Sequence, residues 1–105
     1  MASSTINMRD FTNYHNFAVV GKASSSVTFP ASYGNYTEVT ITQSKSGWYP
    51  IGVVGWDVTS KFVYLQKWKL TNQSEGSATV TVRGVNGSGS DRDATITVYV
   101  LWIKI

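Results

Sequence analysis

The closing segment Ile96-Thr97-Val98-Tyr99-Val100-Leu101-Trp102-Ile103-Lys104-Ile105 decides the fold. β-Branched and aromatic residues dominate it, and these pack well on a pleated surface. Successive side chains of a strand point to opposite faces, so Ile96, Val98, Val100 and Trp102 share one face and Tyr99, Leu101, Ile103 and Ile105 the other. Both faces are apolar. A strand with one face on a core and one in water alternates apolar with polar, whereas this one asks for cover on both sides. It is too short to cross a bilayer, which takes about 20 apolar residues in a helix.

Working outward, the same composition recurs. Val, Ile, Thr, Tyr, Phe and Trp crowd into short runs separated by Ser, Gly, Asn and Asp, which predicts strands at Phe17 to Val20, Ser26 to Phe29, Thr37 to Gln43, Tyr49 to Val58, Phe62 to Leu70, Ala78 to Val85 and Ala94 to Lys104. The separators carry turn chemistry: Ser32, Gly34 and Asn35; Ser44 to Gly47; Thr59 and Ser60; Asn72 to Gly76; Asn86 to Asp93. Strands this close together leave no room for crossover helices, so the sheets are expected to be antiparallel. The expected fold is all-β: a two-sheet antiparallel β-sandwich, jelly-roll-like, with seven or eight strands. A chain of 105 residues suits a single domain over 1–105, with a radius of gyration of about 13 Å if compact. Residues 1–16 show no clear period and read as an arm, a short strand or a linker remnant. No repeat is visible, and only Ser24 to Ser26 is of low complexity.

The strands differ in what they show to water. In the third, Val39 and Ile41 point one way and Glu38, Thr40 and Thr42 the other, which gives one wet face. Strict alternation in the fourth groups Trp48, Val54, Trp56 and Val58 against Tyr49, Ile51 and Val53; in the fifth it groups Phe62, Tyr64, Trp68 and Leu70 against Val63 and Leu65. A two-layer sandwich buries only the inner face of each sheet, so strands that are apolar on both faces need a second cover. Covering the carboxyl-terminal strand would remove about 300–500 Å² of apolar area, on the order of 7–12 kcal/mol before entropy losses. Two covers are open: another subunit, or the amino-terminal arm folded back. Trp56, Trp68, Tyr99, Leu101, Trp102, Ile103 and Ile105 are the candidate oligomer-interface residues.

Charged residues are only 14% of the chain, against the usual 25% or so, which argues against a helical bundle with solvated charged faces. A net charge of +3 is too thin for nucleic acid to be an expected partner. Without Cys there is no disulfide, thiolate metal site or thiol nucleophile, and a single His excludes two-His relays. That residue, His15, sits in no nucleophile motif and reads as an ordinary polar residue. Six carboxylates permit a glycosidase pair, yet Asp57, Glu75, Asp91 and Asp93 fall at strand ends or turns, where turn closure explains them. Gly87, Gly89, Asp91 and Asp93 form a loose likeness of a calcium loop but lack its terminal Glu, so a mobile loop is preferred. No metal, cofactor or catalytic residue is expected, and neither is membrane insertion. The opening residues carry no export signal.

Four Trp and six Tyr invite a sugar-binding reading, since flat aromatic faces stack on sugar rings. Tyr33 and Tyr36 flank the Gly34-Asn35 turn, Trp48 and Tyr49 follow the Ser46-Gly47 turn, and Asp91 and Asp93 supply carboxylates; these six are the candidate ligand-binding residues. Lys61, Lys67 and Lys69 read as guards of a sheet edge rather than as a polyanion site.

The segment Ser44-Lys45-Ser46-Gly47-Trp48-Tyr49-Pro50-Ile51-Gly52-Val53-Val54-Gly55-Trp56, a Tyr- and Trp-bearing strand after it, and the closing Val98-Tyr99-Val100-Leu101-Trp102-Ile103-Lys104 resemble carboxyl-terminal domains of phage and prophage tail or minor structural proteins. The likeness covers about residues 25–105 and rests on strand pattern, with no catalytic signature. It implies β-sandwich tips that assemble as trimers, contact host-surface ligands such as glycans, and reside in the virion, or in the host cytoplasm before release. The expected function is therefore a non-enzymatic, self-associating structural or receptor-binding domain. The alternative is a monomeric carbohydrate-binding module with an aromatic rim, and a small jelly-roll hydrolase stands third.

Overall fold

The computed structural model describes residues 17–31 and 36–105. The expected arm at 1–16, with His15, and the candidate Tyr33 lie outside the described residues. Six strands follow in order: β1 (Ala18–Phe29), β2 (Tyr36–Ser44), β3 (Trp48–Val58), β4 (Val63–Ser74), β5 (Ser77–Asn86) and β6 (Arg92–Lys104). They form two antiparallel three-stranded sheets, ordered β1-β6-β3 and β2-β5-β4, called here the β6 sheet and the β5 sheet after their central strands. Only β4 and β5 are joined as a hairpin within one sheet; each other connection passes from one sheet to the other.

The all-β, two-sheet antiparallel architecture matches the sequence expectation, but the strand count is six, not seven or eight. The difference lies in β1. Phe17 to Val20 and Ser26 to Phe29 are not separate strands, because Gly21 to Ser25 keeps its pairing with β6 from Gly21↔Val100 to Ser25↔Ile96. Ser24 does not close a turn there, since its hydroxyl pairs with that of Thr97 at 2.7 Å across the ladder. Gly21 serves close packing: a Cβ there would meet Gln43 Oε1 at 2.5 Å and Trp102 Nε1 at 2.8 Å.

The core lies between the sheets. β6 contributes Ala94, Ile96, Val98, Val100 and Trp102, and β5 contributes Ala78, Val80 and Val82, all buried. Phe29, Ile41, Val63 and Leu65 complete it. β1 lies over β2 on one side of the sandwich and β3 over β4 on the other. Polar side chains join the layers near the Trp48 end, where the buried Trp102 Nε1 donates to Gln43 Oε1 at 2.8 Å and the more exposed Gln73 Nε2 donates to the Pro50 carbonyl at 2.8 Å. At the same end the Lys45 amide donates to the Gly76 carbonyl (2.9 Å) and the Gly76 amide to the Trp48 carbonyl (2.8 Å), with Gly76 at φ +80° in the β4–β5 turn.

Asn86 holds the other end, the Phe29 end. Its Nδ2 donates to the carbonyls of Phe29 (3.0 Å) and Ser90 (2.8 Å), and its Oδ1 accepts from the amide and hydroxyl of Ser88. The segment between β5 and β6, expected as a loose loop, is thus tied to β1 through a side chain that is itself buried. The molecule is long and thin, 58 × 28 × 16 Å, with a radius of gyration of 17.0 Å rather than the roughly 13 Å of a sphere of this size. Long strands in narrow sheets cause this, and they make four of the six strands edge strands.

Candidate functional site

The outer face of the β6 sheet changes character along its length. Toward the Phe29 end it is a ladder of hydroxyls: Ser24 pairs with Thr97 (2.7 Å), Ser26 with Thr95 (3.0 Å), and Thr28 donates to Asp93 (2.7 Å). Toward the Trp48 end it becomes apolar. Val20 pairs with Leu101 and Lys22 with Tyr99 on one flank of β6, and Tyr49 pairs with Ile103 on the other. Ile51 and Val54 join this half because each is an extra residue where β3 slips register against β6, and a bulge of this kind aims a side chain away from strict alternation. Val20, Ile51, Val54 and Ile103 are all exposed, Ile103 at 39%. Among the described residues nothing covers this half.

The candidate interface residues therefore separate. Tyr99, Leu101 and Ile103 lie on the outer face, and Ile105 is exposed just beyond it. Trp102 does not belong with them: it points into the core with 0% exposure, as the alternation of β6 requires when its other face turns outward. Trp56 and Trp68 face inward at the β3–β4 side, where their rings stack at 5.3 Å and 46°, each still about two-fifths exposed. They close the margin of the sandwich rather than extending the apolar face.

The candidate ligand residues also lie apart. Trp48 and Tyr49 sit at one end; Tyr36, Asp91 and Asp93 sit at the other. Trp48 packs against the core with Lys45 Nζ 5.0 Å and Lys104 Nζ 5.4 Å from its ring. Asp91 accepts from the Ala31 amide at 2.9 Å and Asp93 from the Thr28 hydroxyl, so both carboxylates tie β6 to β1 and the segment after it. A shallow groove of about 330 Å³ lies there, lined by Ser26, Thr28, Thr59, Asp93 and Thr95. Thr59 shapes it by crossing to β6, with its amide on the Thr95 carbonyl and its hydroxyl accepting from the Thr95 amide. No cluster of three or more metal-binding side chains occurs among the described residues, and no helix there is long and apolar enough to cross a membrane.

One aromatic platform was not foreseen. On the outer face of the β5 sheet, Tyr36 and Tyr64 flank Val85, at 54% and 55% exposure, while Val85 is buried between them. The Arg83 guanidinium lies 3.9 Å from the Tyr36 ring centre and bridges to Glu38 at 3.0 Å. Strict alternation had placed Tyr64 on the same face as Trp68. β4 slips register at Gln66, so Val63, Leu65 and Trp68 all point inward and Tyr64 points out. The signal was present in the sequence: apolar residues at odd positions through Leu65 and at even positions from Trp68 on.

The platform and the hydroxyl-lined groove share the Phe29 end but lie on opposite sheets. Flat rings beside a guanidinium and a carboxylate can stack on a sugar and hydrogen-bond its hydroxyls. In comparisons with known proteins, the chain matches no family model, no curated protein and no solved structure.

Proposed function

We propose that the protein is a non-enzymatic structural or receptor-binding module of the phage-tail type, which self-associates and contacts a glycan through its outer aromatic surface. The observation that carries this reading is the apolar half of the β6 sheet's outer face, built by Val20, Tyr49, Ile51, Val54, Tyr99, Leu101 and Ile103. An apolar area of this kind, rimmed by polar residues, marks a contact surface. Copies that bury it against one another remove it from water, and the resemblance of residues 25–105 to phage tail domains suggests three copies and a place in a virion. The glycan contact falls to Tyr36 and Tyr64, with Arg83 and Glu38 as hydrogen-bonding partners.

Sedimentation of the full chain tests the assembly. Native protein sediments above 11.5 kDa at micromolar concentration, and Ile51→Glu/Ile103→Glu lowers the mass while the circular dichroism of the fold persists. A native mass of 11.5 kDa overturns self-association. The alternative, a monomeric carbohydrate-binding module, draws on the Tyr36–Tyr64 platform alone; it predicts that mass together with glycan-array binding that weakens in Tyr36→Ala and in Tyr64→Ala. Because stacking is worth about 0.5–1.5 kcal/mol per ring, each substitution weakens binding by roughly 2- to 13-fold. Undiminished binding in both removes the platform from consideration.

A further inference from the structure

The four edge strands are not equally guarded. β3 carries Pro50 and register slips at Ile51 and Val54; β4 carries slips at Gln66 and Thr71 with Lys67 and Lys69 outward. Bulges, proline and lysine are the devices by which sheet edges resist pairing with other chains. The Trp56–Trp68 stack and the Gln73–Pro50 hydrogen bond further close that side. The opposite side has neither bulge nor proline, and a single lysine, Lys22. β1 keeps unbroken register with β6 over 12 residues and β2 with β5 over 9, neither contains proline, and the only charges on them are Lys22 and Glu38. Among the described residues no strand lies beyond either.

We infer that the β1–β2 side is a second self-contact, in which a copy related by a two-fold axis adds β1 to β1 and β2 to β2 and makes two continuous six-stranded sheets. β1 runs toward the Phe29 end and β2 away from it, so a two-fold axis normal to the sheets sets each strand antiparallel to its own copy. One axis serves both pairs. Gly21 lies against Gln43 across the sandwich; three residues on from Gly21 is Ser24, and three back from Gln43 is Thr40, so an axis through one passes near the other. In that register Lys22 stands opposite Ser26 of the second copy and Glu38 opposite Thr42, and like charges never meet.

The area suffices. At about 3.3 Å per residue the 12 residues of β1 span about 40 Å, and over the 16 Å depth of the sandwich each copy contributes about 600 Å², or about 1,200 Å² in total. Stable specific contacts begin near about 1,200 Å². A bound peptide strand would satisfy one edge and leave its neighbour open, which favours a second copy as the occupant. The contact goes beyond the apolar-face association and shares with it only Val20 of β1.

The test works in full-length Ile51→Glu/Ile103→Glu, where the apolar face is blocked. Sedimentation there gives twice the 11.5 kDa chain mass. Adding Ser24→Lys/Thr40→Lys, at two exposed outward positions that the axis sets against themselves, returns the mass to 11.5 kDa. Adding Ser24→Glu/Thr40→Glu instead does the same, and mixing the Lys and Glu forms restores the doubled mass, which unfolded chains could not do. The contact is overturned by a single-chain mass in the blocked background, as when residues 1–16 of the same chain fill the edges; by a doubled mass that survives the Lys pair; or by a mixture that stays single. The apolar-face reading fails separately, when Ile51→Glu/Ile103→Glu leaves the native mass unchanged.

Discussion

Trp102 shows how one side chain can join two layers. Its ring is buried in the core, and its single N–H reaches Gln43 Oε1, so a polar atom of β6 is satisfied only by the opposite sheet. Removing one partner leaves a buried donor or acceptor unpaired, at about 1–3 kcal/mol. Gln43→Leu and Trp102→Phe each therefore destabilise the fold, the second also by lost volume, while the double variant loses less than the sum by about 1 kcal/mol or more. Urea unfolding of the four proteins checks this; strict additivity would mean the bond contributes nothing. Gln43 Nε2, buried with no partner among the described residues, makes Gln43→Leu the milder of the two single changes. Asn86 makes the same point at the other end. Asn86→Ala strips partners from Phe29, Ser88 and Ser90 at once and is expected to cost about 2–3 kcal/mol, read as a lower urea midpoint with unchanged slope.

At the scale of the element, legibility follows regularity. β2 and β6 were read correctly face by face because neither strand carries an extra residue of its own: Val39 and Ile41 inward, Thr40 and Thr42 outward, Ile96 through Trp102 alternating into the core. β3 and β4 were misread around their bulges, where period two breaks. Val53 points inward although alternation set it with Ile51, and Tyr64 emerges on the outer platform. In β4 the shift of apolar residues from odd to even positions marks the slip, whereas β3, apolar at odd and even positions alike, carries no such mark in its own sequence. β1 failed for the opposite reason: Gly21 to Ser25 looks like a break, but across from β6 those small residues are what close packing and hydroxyl pairing require. The β4–β5 turn was foreseen from Gly76, and its φ of +80° predicts that Gly76→Ala costs about 1–2 kcal/mol in urea unfolding. An unchanged midpoint would show that the turn relaxes without a left-handed residue.

For the whole molecule, the carboxyl-terminal strand divides its two apolar faces between two tasks. One face supplies the core of a narrow sandwich, and the other, with its neighbours on β1 and β3, stays outside. That both faces of this strand are apolar was legible in the sequence, while which side faced inward, and that Trp102 went with the core, required the register. The candidate ligand residues were less legible because nearness along the chain to a turn does not say which end of a 58 Å molecule that turn occupies. The most direct measurement is solvent paramagnetic relaxation at the methyl groups of Ile51, Leu101 and Ile103 in the native full chain, taken at two concentrations. The account predicts methyls shielded like those of Ile96 and Val98 when concentrated and relaxing strongly on dilution. Strong relaxation at both concentrations, or shielding that dilution leaves unchanged, would contradict it.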